Sequence, residues 1–417
     1  MIGEDFSLRP VPTDRSRSAL GVFTTIVGHV IGVPLFVVSA QVAFGLGFER
    51  AIWANFAGGA LLAVVGIATA YVGAQRRVST YLTAMAAFGV IGAKLVNLVF
   101  CATFIGWFGV QVHLFSLAVD EIAGNVFGLH LPTTTYALAG SVLMITTSVY
   151  GISAIQRLSL WCVPVLFGIL LCTFWRAGDY SRTGVEVVHA TLSFGQGVVM
   201  VAGGGMLGAV VMPDFSRFCR NEKDAVLVAL LSLAVALPLI MCLAAYPAVL
   251  LGDGNLIRLM MRIGLGGAAI FVVVLATWSM NAAGLYSNSL GLSTVLPSVP
   301  RPVLAVVAGL LGTIAALFNV TEFLPPFLTV LSITLPPVGG IIVAYHFLER
   351  VGRIGPSPAI SIRALLSWGI AIVTGLATSR GWLSLSTLPA ADSLAVAVFS
   401  YLCLITSASR RSVRPTW

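Results

Sequence analysis

Long apolar stretches separated by short polar segments run through nearly the whole chain. A helix needs roughly 20 mainly apolar residues to cross a bilayer, and the pattern predicts twelve such spans. They cover residues 18–46, 51–73, 92–118, 133–151, 156–175, 195–212, 225–251, 264–287, 302–319, 323–346, 362–379 and 388–406. The pattern therefore predicts an all-α integral membrane protein that forms one transmembrane domain over residues 1–417, without a soluble module.

Composition and charge support this interpretation. Charged residues make up 9% of the chain, whereas soluble proteins have about 25%, so lipid is the expected surroundings. The net charge of +8 is unevenly distributed: seventeen Lys and Arg residues lie on the side of the N-terminus and six on the other. This bias predicts that both termini lie in the cytoplasm and that the protein sits in the inner, cytoplasmic membrane. The positive charge therefore reflects topology and does not predict nucleic-acid binding.

Two predicted spans carry helix-breaking residues. Gly203, Gly204 and Gly205 interrupt span six, and each glycine costs a helix roughly 1 kcal/mol relative to alanine. Span one contains the run Gly28–Pro34, and a proline inside a helix removes a hydrogen bond and clashes with the preceding turn. We predict that both spans are unwound at these points. The alternative for the glycines is that they let neighbouring helices pack closely.

The two breaks lie five spans apart, in spans one and six, and this spacing predicts an inverted repeat. Interrupted helices at corresponding positions of two halves are typical of secondary transporters, and they place the substrate near the bilayer midplane. We expect a first repeat over 18–175, a second over 195–346, and two additional helices over 362–406.

Neutral polar and aromatic residues are the candidate contacts within the spans, because no Asp or Glu lies in the middle of one. Trp107 and Gln111 are one turn apart in span three, and an indole beside an amide suits a flat, hydrogen-bonding ring. Span eight offers Ser279, Asn281 and Tyr286. The alternative is that these groups only pack or bond to neighbouring helices.

Other classes of membrane protein have less support. A membrane-embedded enzyme acting on a small heterocycle needs a convergent set of catalytic groups, and the spans hold no such cluster of His, Asp, Glu or Cys. A transporter-like membrane sensor usually carries a signalling domain, and the predicted tails are short. The six cysteines have no metal-binding spacing. We therefore favour a secondary active transporter.

Five motifs in one order carry a resemblance to a known family. They are GWFG at Gly106–Gly109, YGISAI at Tyr150–Ile155, PDFSRFCRN at Pro213–Asn221, Trp278-x-x-Asn281 followed by GLYSNSLG, and LPPVGGIIVAYHFLER at Leu335–Arg350. Together they resemble the cytosine permease branch of the nucleobase–cation symporter family. The resemblance implies a LeuT-like 5+5 inverted repeat plus two helices, and import of a nucleobase or related heterocycle with Na+ or H+. It implies no further cofactor, no nucleic acid and no obligate protein partner.

The resemblance also implies positions for the sites. The Na+ site is expected to use main-chain oxygen atoms of Gly28, Ile31 and Ala276 and the hydroxyl group of Ser279. The substrate is expected to stack on Trp107 and to meet the glycine break. The implied substrate-binding residues are Phe104, Trp107, Gln111, Gly203, Gly204, Gly205, Leu207 and Asn281.

Several of these positions depart from the family pattern. Phe104 replaces a glutamine of cytosine permeases, Gly205 and Leu207 replace an aromatic residue and a serine, and Ala276 replaces an asparagine. Since a site that has lost polar groups loses the discrimination they provide, we expect cytosine not to be the preferred substrate. Met280 replaces a second hydroxyl residue, which predicts weak Na+ binding or its replacement by protons, with His29 as the candidate proton site.

Overall fold

The computed structural model describes residues 6–180, 191–318, 324–383, 385–386 and 388–411. Within these residues the chain is helical and contains no strand. The helices are α1 (Ala19–Val30), α2 (Val33–Leu46), α3 (Phe48–Arg76), α4 (Thr80–Phe88), α5 (Gly92–Phe127), α6 (Thr133–Val149), α7 (Ile152–Tyr180), α8 (Phe194–Val210), α9 (Pro213–Ser216), α10 (Glu222–Leu230), α11 (Leu237–Leu251), α12 (Leu256–Arg262), α13 (Gly266–Val295), α14 (Arg301–Ala316), α15 (Leu324–Arg350), α16 (Ile362–Ser379) and α17 (Pro389–Arg411).

These helices confirm an all-α membrane protein. In the described part of the chain, nine helical stretches are long and apolar enough to cross a bilayer, and the bent pair α1–α2 gives a tenth. The other two predicted spans correspond to the shorter helices α6, of 17 residues, and α14, of 16 residues. The total of twelve crossings stays a prediction.

The first span is broken as predicted. Its two helices, α1 and α2, are bent by 65° relative to each other, and Ile31 and Gly32 between them have extended backbone. Pro34 lies in the first turn of α2, where a proline is tolerated because the N–H it lacks has no partner within the helix. The same proline would clash with the carbonyl group of Val30 if α1 continued.

The predicted break of the sixth span at its glycines is wrong. Helix α8 runs without interruption through Gly203, Gly204 and Gly205 and ends seven residues beyond the first of them, at Val210. A Cβ atom on Gly204 would lie 2.8 Å from Leu35 Cδ2, and one on Gly205 would lie 2.5 Å from Leu62 Cδ1. These two glycines therefore allow α2 and α3 to approach α8 closely, which was the alternative interpretation.

Two short helices show the relation between the repeats. Helix α4 lies between α3 and the start of α5, and α12 lies in the corresponding place of the second half. Arg258 Nε of α12 donates to Glu121 Oε1 near the end of α5 over 2.9 Å. Because α5 has 36 residues and is therefore about 54 Å long, α4 and α12 lie at opposite ends of the bundle, as an inverted repeat requires.

Helices pack into two groups on either side of α1. In the first group, α5 and α13 are joined by Asn97 Nδ2, which donates to Thr294 Oγ1 over 2.8 Å. In the second, α3 and α8 are joined by Thr69 Oγ1, which donates to the carbonyl oxygen of Ala209 over 2.7 Å. A cavity remains between the two groups beside the break in the first span.

One end of the bundle is rich in arginine. Arg76 at the end of α3 forms an ion pair with Glu349 near the end of α15, and Arg217 follows α9. Arg77 Nε donates to the carbonyl oxygen of Val11 over 2.6 Å and so holds the N-terminal segment at this end. We call the end that holds Arg76, Arg77 and Arg217 the basic end.

The glycine triplet offers a matched test of close packing against helix propensity. We expect Gly203→Ala to stabilise the protein by up to about 1 kcal/mol, because alanine favours helix and its Cβ would have only contacts of 3.6 Å or more. Gly205→Ala should destabilise by about 1–3 kcal/mol, because Leu62 is fully buried. Thermal unfolding of both purified variants measures the difference. A lower melting temperature for Gly203→Ala than for Gly205→Ala would contradict this account.

Candidate functional site

The cavity between the two helix groups is formed by α1, α5, α8 and α13. Its volume is about 30 Å³, room for one or two water-sized molecules. Its lining consists of His29, Val30, Phe104, Trp107, Phe108, Gln111, Gly204, Gly205, Leu207, Gly208, Met280, Asn281, Gly284 and Leu285. A ring-shaped ligand therefore requires the lining helices to move apart.

One wall of the cavity is aromatic. Phe104, Trp107 and Phe108 come from adjacent turns of α5, and each is almost completely buried. The Trp107 ring packs edge-on against Phe327 of α15, with ring centroids 5.8 Å apart and an interplanar angle of 70°. This contact orients the indole, so the cavity has a rigid aromatic surface for a flat molecule.

Two side-chain amides line the cavity in addition to the imidazole of His29. Gln111 Nε2 donates to Asn281 Oδ1 over 2.7 Å and so links α5 to α13. Asn281 Nδ2 lies 3.1 Å from Met144 Sδ. Gln111 Oε1 is buried and has no hydrogen-bond partner among the described residues. Since an unsatisfied buried acceptor costs about 1–3 kcal/mol, this oxygen atom is suited to accept a hydrogen bond from a ligand N–H.

A second group of oxygen atoms lies beside the broken span. The end of α1 leaves carbonyl groups near Gly28 without their helical partners four residues on. A Cβ atom on Gly28 would lie 2.5 Å from Ser279 Oγ and 2.7 Å from Ser159 Oγ, and the two hydroxyl oxygen atoms are 3.3 Å apart. Hydroxyl and carbonyl oxygen atoms are the ligands that hard cations prefer, so this donor set fits Na+.

Comparison with known proteins identifies the family. Residues 10–364 match the family model described as a permease for cytosine/purines, uracil, thiamine and allantoin. The cytosine permease of Escherichia coli K12 is 31% identical over 83% of this chain and 82% of its own length. The chain belongs to this permease family. It is therefore a nucleobase-type transporter rather than an enzyme.

More distant relatives agree on the fold. The hydantoin permease of Microbacterium maritypicum is 23% identical over 82% of this chain and 76% of its own length. The structure of Mhp1, a nucleobase-cation-symport-1 family transporter in a closed conformation with bromovinylhydantoin bound, has a TM-score of 0.84, with 19% identity over 98% of this chain and 97% of that one. The predicted LeuT-like fold is thus confirmed.

Most of the residues predicted to bind substrate in this permease meet at the cavity. Seven line it, namely Phe104, Trp107, Gln111, Gly204, Gly205, Leu207 and Asn281. Gly203 does not, because its missing side chain would point toward Leu328 and Ser332 of α15. Tyr286 is also elsewhere, since its hydroxyl group accepts from Arg217 Nη2 over 2.8 Å at the basic end. Substrate binding by the seven residues stays a prediction.

Gly205 does not open additional space in the cavity of the permease. The direction in which a side chain would leave Gly205 is filled by Leu62. The side-chain direction of Gly204 is likewise filled, by Leu35. Neither glycine therefore provides room for a larger ligand.

The residues predicted to form the ion sites do not all lie in one place. Ser279 lies beside Gly28, in agreement with the expected grouping, and Ala276 is one turn before it on α13. Met280 turns away toward the cavity, where its Sδ atom would lie 2.3 Å from a Cβ atom on Gly32. His29 is buried, and its Nδ1 atom has no hydrogen-bond partner among the described residues. Ion binding at these residues stays a prediction.

Sequence reasoning missed two residues of these sites. Ser159 of α7 belongs to none of the motifs, and serine is common in membrane helices, so only the packing of α7 against α1 reveals it. Phe327, which orients Trp107, lies more than 200 residues farther along the chain. Neither side chain has a signal in the sequence that would distinguish it from an ordinary helix-packing residue.

The amide pair gives a prediction about stability. We expect Asn281→Leu to destabilise the permease more than the double variant Gln111→Leu/Asn281→Leu, because the single change leaves the Gln111 amide unpaired. The coupling energy should be about 0.6–1.7 kcal/mol, the range for hydrogen bonds between membrane helices. Unfolding of the two singles and the double measures it, with Thr374→Val of the exposed face of α16 as a control. Additive effects would contradict the pairing.

Proposed function

We propose that this permease imports a nucleobase or a related small heterocycle into the cytoplasm, together with a cation. The cavity beside the broken first span carries the proposal, because it combines the oriented Trp107 ring with the unpaired oxygen atom of Gln111. A flat ring with an N–H group satisfies both. The substrate is bound between the two helix groups, whose relative motion gives alternating access.

The basic end is proposed to face the cytoplasm of a cell with an inner membrane. Arg76, Arg77 and Arg217 lie there, and an excess of arginine and lysine is retained on the cytoplasmic side of membrane proteins. The opposite end carries Glu121, paired with Arg258.

The substrate is proposed to be less polar than cytosine. Phe104, Leu207 and Gly205 contribute only apolar surface or main chain to the cavity, and the free Gln111 oxygen atom accepts but does not donate. Cytosine presents both donors and acceptors on one edge, and unpaired ligand groups in a buried site reduce affinity. Pyrimidine-like and hydantoin-like rings with an N–H group beside an apolar substituent fit this lining better.

Na+ is proposed to bind beside Gly28. Main-chain oxygen atoms of Gly28, Ile31 and Ala276 and the hydroxyl group of Ser279 form the expected set. Ser159 supplies the second hydroxyl group that Met280 lacks, because its Oγ atom lies 3.3 Å from that of Ser279. This replacement by a residue of another helix joins α7 to the site. Coupling to protons through His29 is the alternative.

A ligand panel tests the substrate class. We expect an apolar-substituted pyrimidine or hydantoin to raise the melting temperature more than cytosine, uracil, allantoin or a purine does. A ligand at 100 times its Kd stabilises by about 2.7 kcal/mol. Trp107→Ala and Gln111→Leu should abolish the shift, while Trp161→Ala, on the lipid-facing surface, should preserve it. Uptake of the best ligand by proteoliposomes then establishes transport. Cytosine as the tightest ligand would disprove the substrate class.

Separate variation of Na+ and pH tests the coupling ion. We expect uptake to depend on Na+, and Ser279→Ala and Ser159→Ala each to raise the half-saturating Na+ concentration about tenfold, since a lost ligand costs about 1.4 kcal/mol or more. Ser400→Ala, whose hydroxyl group bonds only within α17, serves as the control. Uptake that follows pH alone and is lost in His29→Gln would favour the proton alternative.

A further inference from the structure

A fully buried carboxyl group lies at the basic end, outside the cavity and the Na+ site. Asp214 belongs to α9, and its side chain is 0% exposed. Its Oδ1 atom accepts a hydrogen bond from the main-chain N–H of Thr80, at the start of α4, over 2.8 Å. Its Oδ2 atom has no hydrogen-bond partner among the described residues. One oxygen atom of the carboxyl group thus accepts a hydrogen bond, and the other has no partner.

The guanidinium group of Arg217, beside Asp214, forms hydrogen bonds with several other groups. Arg217 Nε donates to the main-chain oxygen of Asp214 over 3.2 Å. Its Nη2 atom donates to the hydroxyl group of Tyr286 over 2.8 Å, and its Nη1 atom to the carbonyl oxygen of Phe6 over 3.0 Å. None of these bonds reaches a carboxylate oxygen of Asp214. The arginine lowers the cost of a negative charge there but leaves Oδ2 unbonded.

The remaining groups that face Asp214 are neutral near pH 7. Tyr81 of α4 and Cys101 of α5 are the other titratable side chains directed at it in the described structure, and both ordinarily ionise above neutral pH. The hydroxyl groups of Thr80 and Ser287 also face the carboxyl group, and neither oxygen atom has a hydrogen-bond partner among the described residues.

Burial of the carboxyl group favours its protonated form. A proton on Oδ2 removes a buried negative charge that lacks one of its hydrogen bonds, and such a charge is unfavourable in a low-dielectric interior. Arg217 and the hydroxyl groups of Thr80 and Ser287 act in the opposite direction, because they stabilise the ionised form. Burial outweighs these groups, so the proton stays bound as long as the carboxyl group is kept from water.

Because of its position, protonation of Asp214 is linked to closure of the basic end. Asp214 follows α8, in one helix group. Thr80 begins α4, which packs against α5 and α13 of the other group, and Ser287 lies on α13 itself. In the alternating-access mechanism on which this inference rests, opening of the basic end separates the two groups. Opening then breaks the bond between Thr80 and Asp214 and admits water to the carboxyl group, where the ionised form is well solvated.

We propose that Asp214 is a proton-binding site that is occupied when the basic end is closed and is vacated when it opens. On opening, the bond between Oδ2 and its hydrogen breaks, a water molecule takes the proton, and the carboxylate remains hydrated. Acid on the side of the basic end consequently favours the closed state. This site is separate from the Na+ ligands and from His29.

Cys219 provides a reporter of opening. It lies five residues after Asp214, in the same segment, and is fully buried in the closed state. Reaction of the purified permease with a methanethiosulfonate reagent, resolved by residue with mass spectrometry, measures its exposure. The unfolded protein over the same pH range corrects for thiol ionisation, and Cys219→Ser identifies the signal.

The corrected reaction rate at Cys219 should rise with pH in the unaltered permease, by about fivefold or more between roughly pH 5.5 and pH 8, since one linked proton allows at most tenfold per pH unit. In Asp214→Asn, whose amide oxygen can still accept from Thr80 and which has no proton to lose, the corrected rate should change less than about twofold. Equal pH profiles for the two proteins would overturn the proposal.

Two further variants keep the test decisive. Ser287→Ala removes a hydroxyl group that stabilises the ionised carboxylate and should move the midpoint of the profile to higher pH, a result that also stands if Asp214→Asn does not fold. An unchanged midpoint in Ser287→Ala would count against the site. Ser400→Ala, whose hydroxyl group bonds only within α17, should leave the profile unaltered. Because no substrate is added, a failure of the proposed transport function would show in uptake and not in this pH profile.

Discussion

The break of the first span beside Gly32 and Pro34 is the constraint on which this structure depends. Pro34 would clash with the carbonyl group of Val30 if α1 continued, and α2 begins in a direction 65° away from α1. At membrane depth, main-chain groups freed in this way must lie against protein or a wet cavity. Two helix groups surround the break. Both the cavity and the oxygen atoms beside Gly28 lie next to it. His29, which lines the cavity, and Gly28, which lies beside the hydroxyl groups of Ser159 and Ser279, are thus adjacent residues at the end of α1.

Close packing between helices holds together the parts of the structure on each side of this break. Gly204 and Gly205 bring α8 against Leu35 and Leu62, so α2, α3 and α8 pack closely as one group. The opposing group is held by polar contacts between α5 and α13, including the pair of Gln111 and Asn281. The proposed alternating-access mechanism requires such a division, because each group keeps its own packing while the two move apart.

Polar groups lie at different depths along the interface between the two helix groups. The amide oxygen of Gln111 is available at the cavity, and the carboxyl group of Asp214 lies toward the basic end, where Arg217 also contacts the N-terminal segment at Phe6. Each has one atom without a hydrogen-bond partner among the described residues. In the proposed functions, a ligand supplies the missing partner at Gln111, and a proton or water supplies it at Asp214.

The sequence by itself determined the membrane class, the helix positions and the break near Pro34, because hydropathy and proline act locally along the chain. Through its motifs it also indicated the family and half of the residues that line the cavity. Only the tertiary structure decided what the three glycines do, since a missing side chain can permit either an unwound turn or a close neighbour, and Leu35 and Leu62 are remote in sequence. It also placed Ser159 beside Ser279 and buried Asp214, which the sequence left outside the spans. Contacts between distant helices, rather than local preference, set these positions.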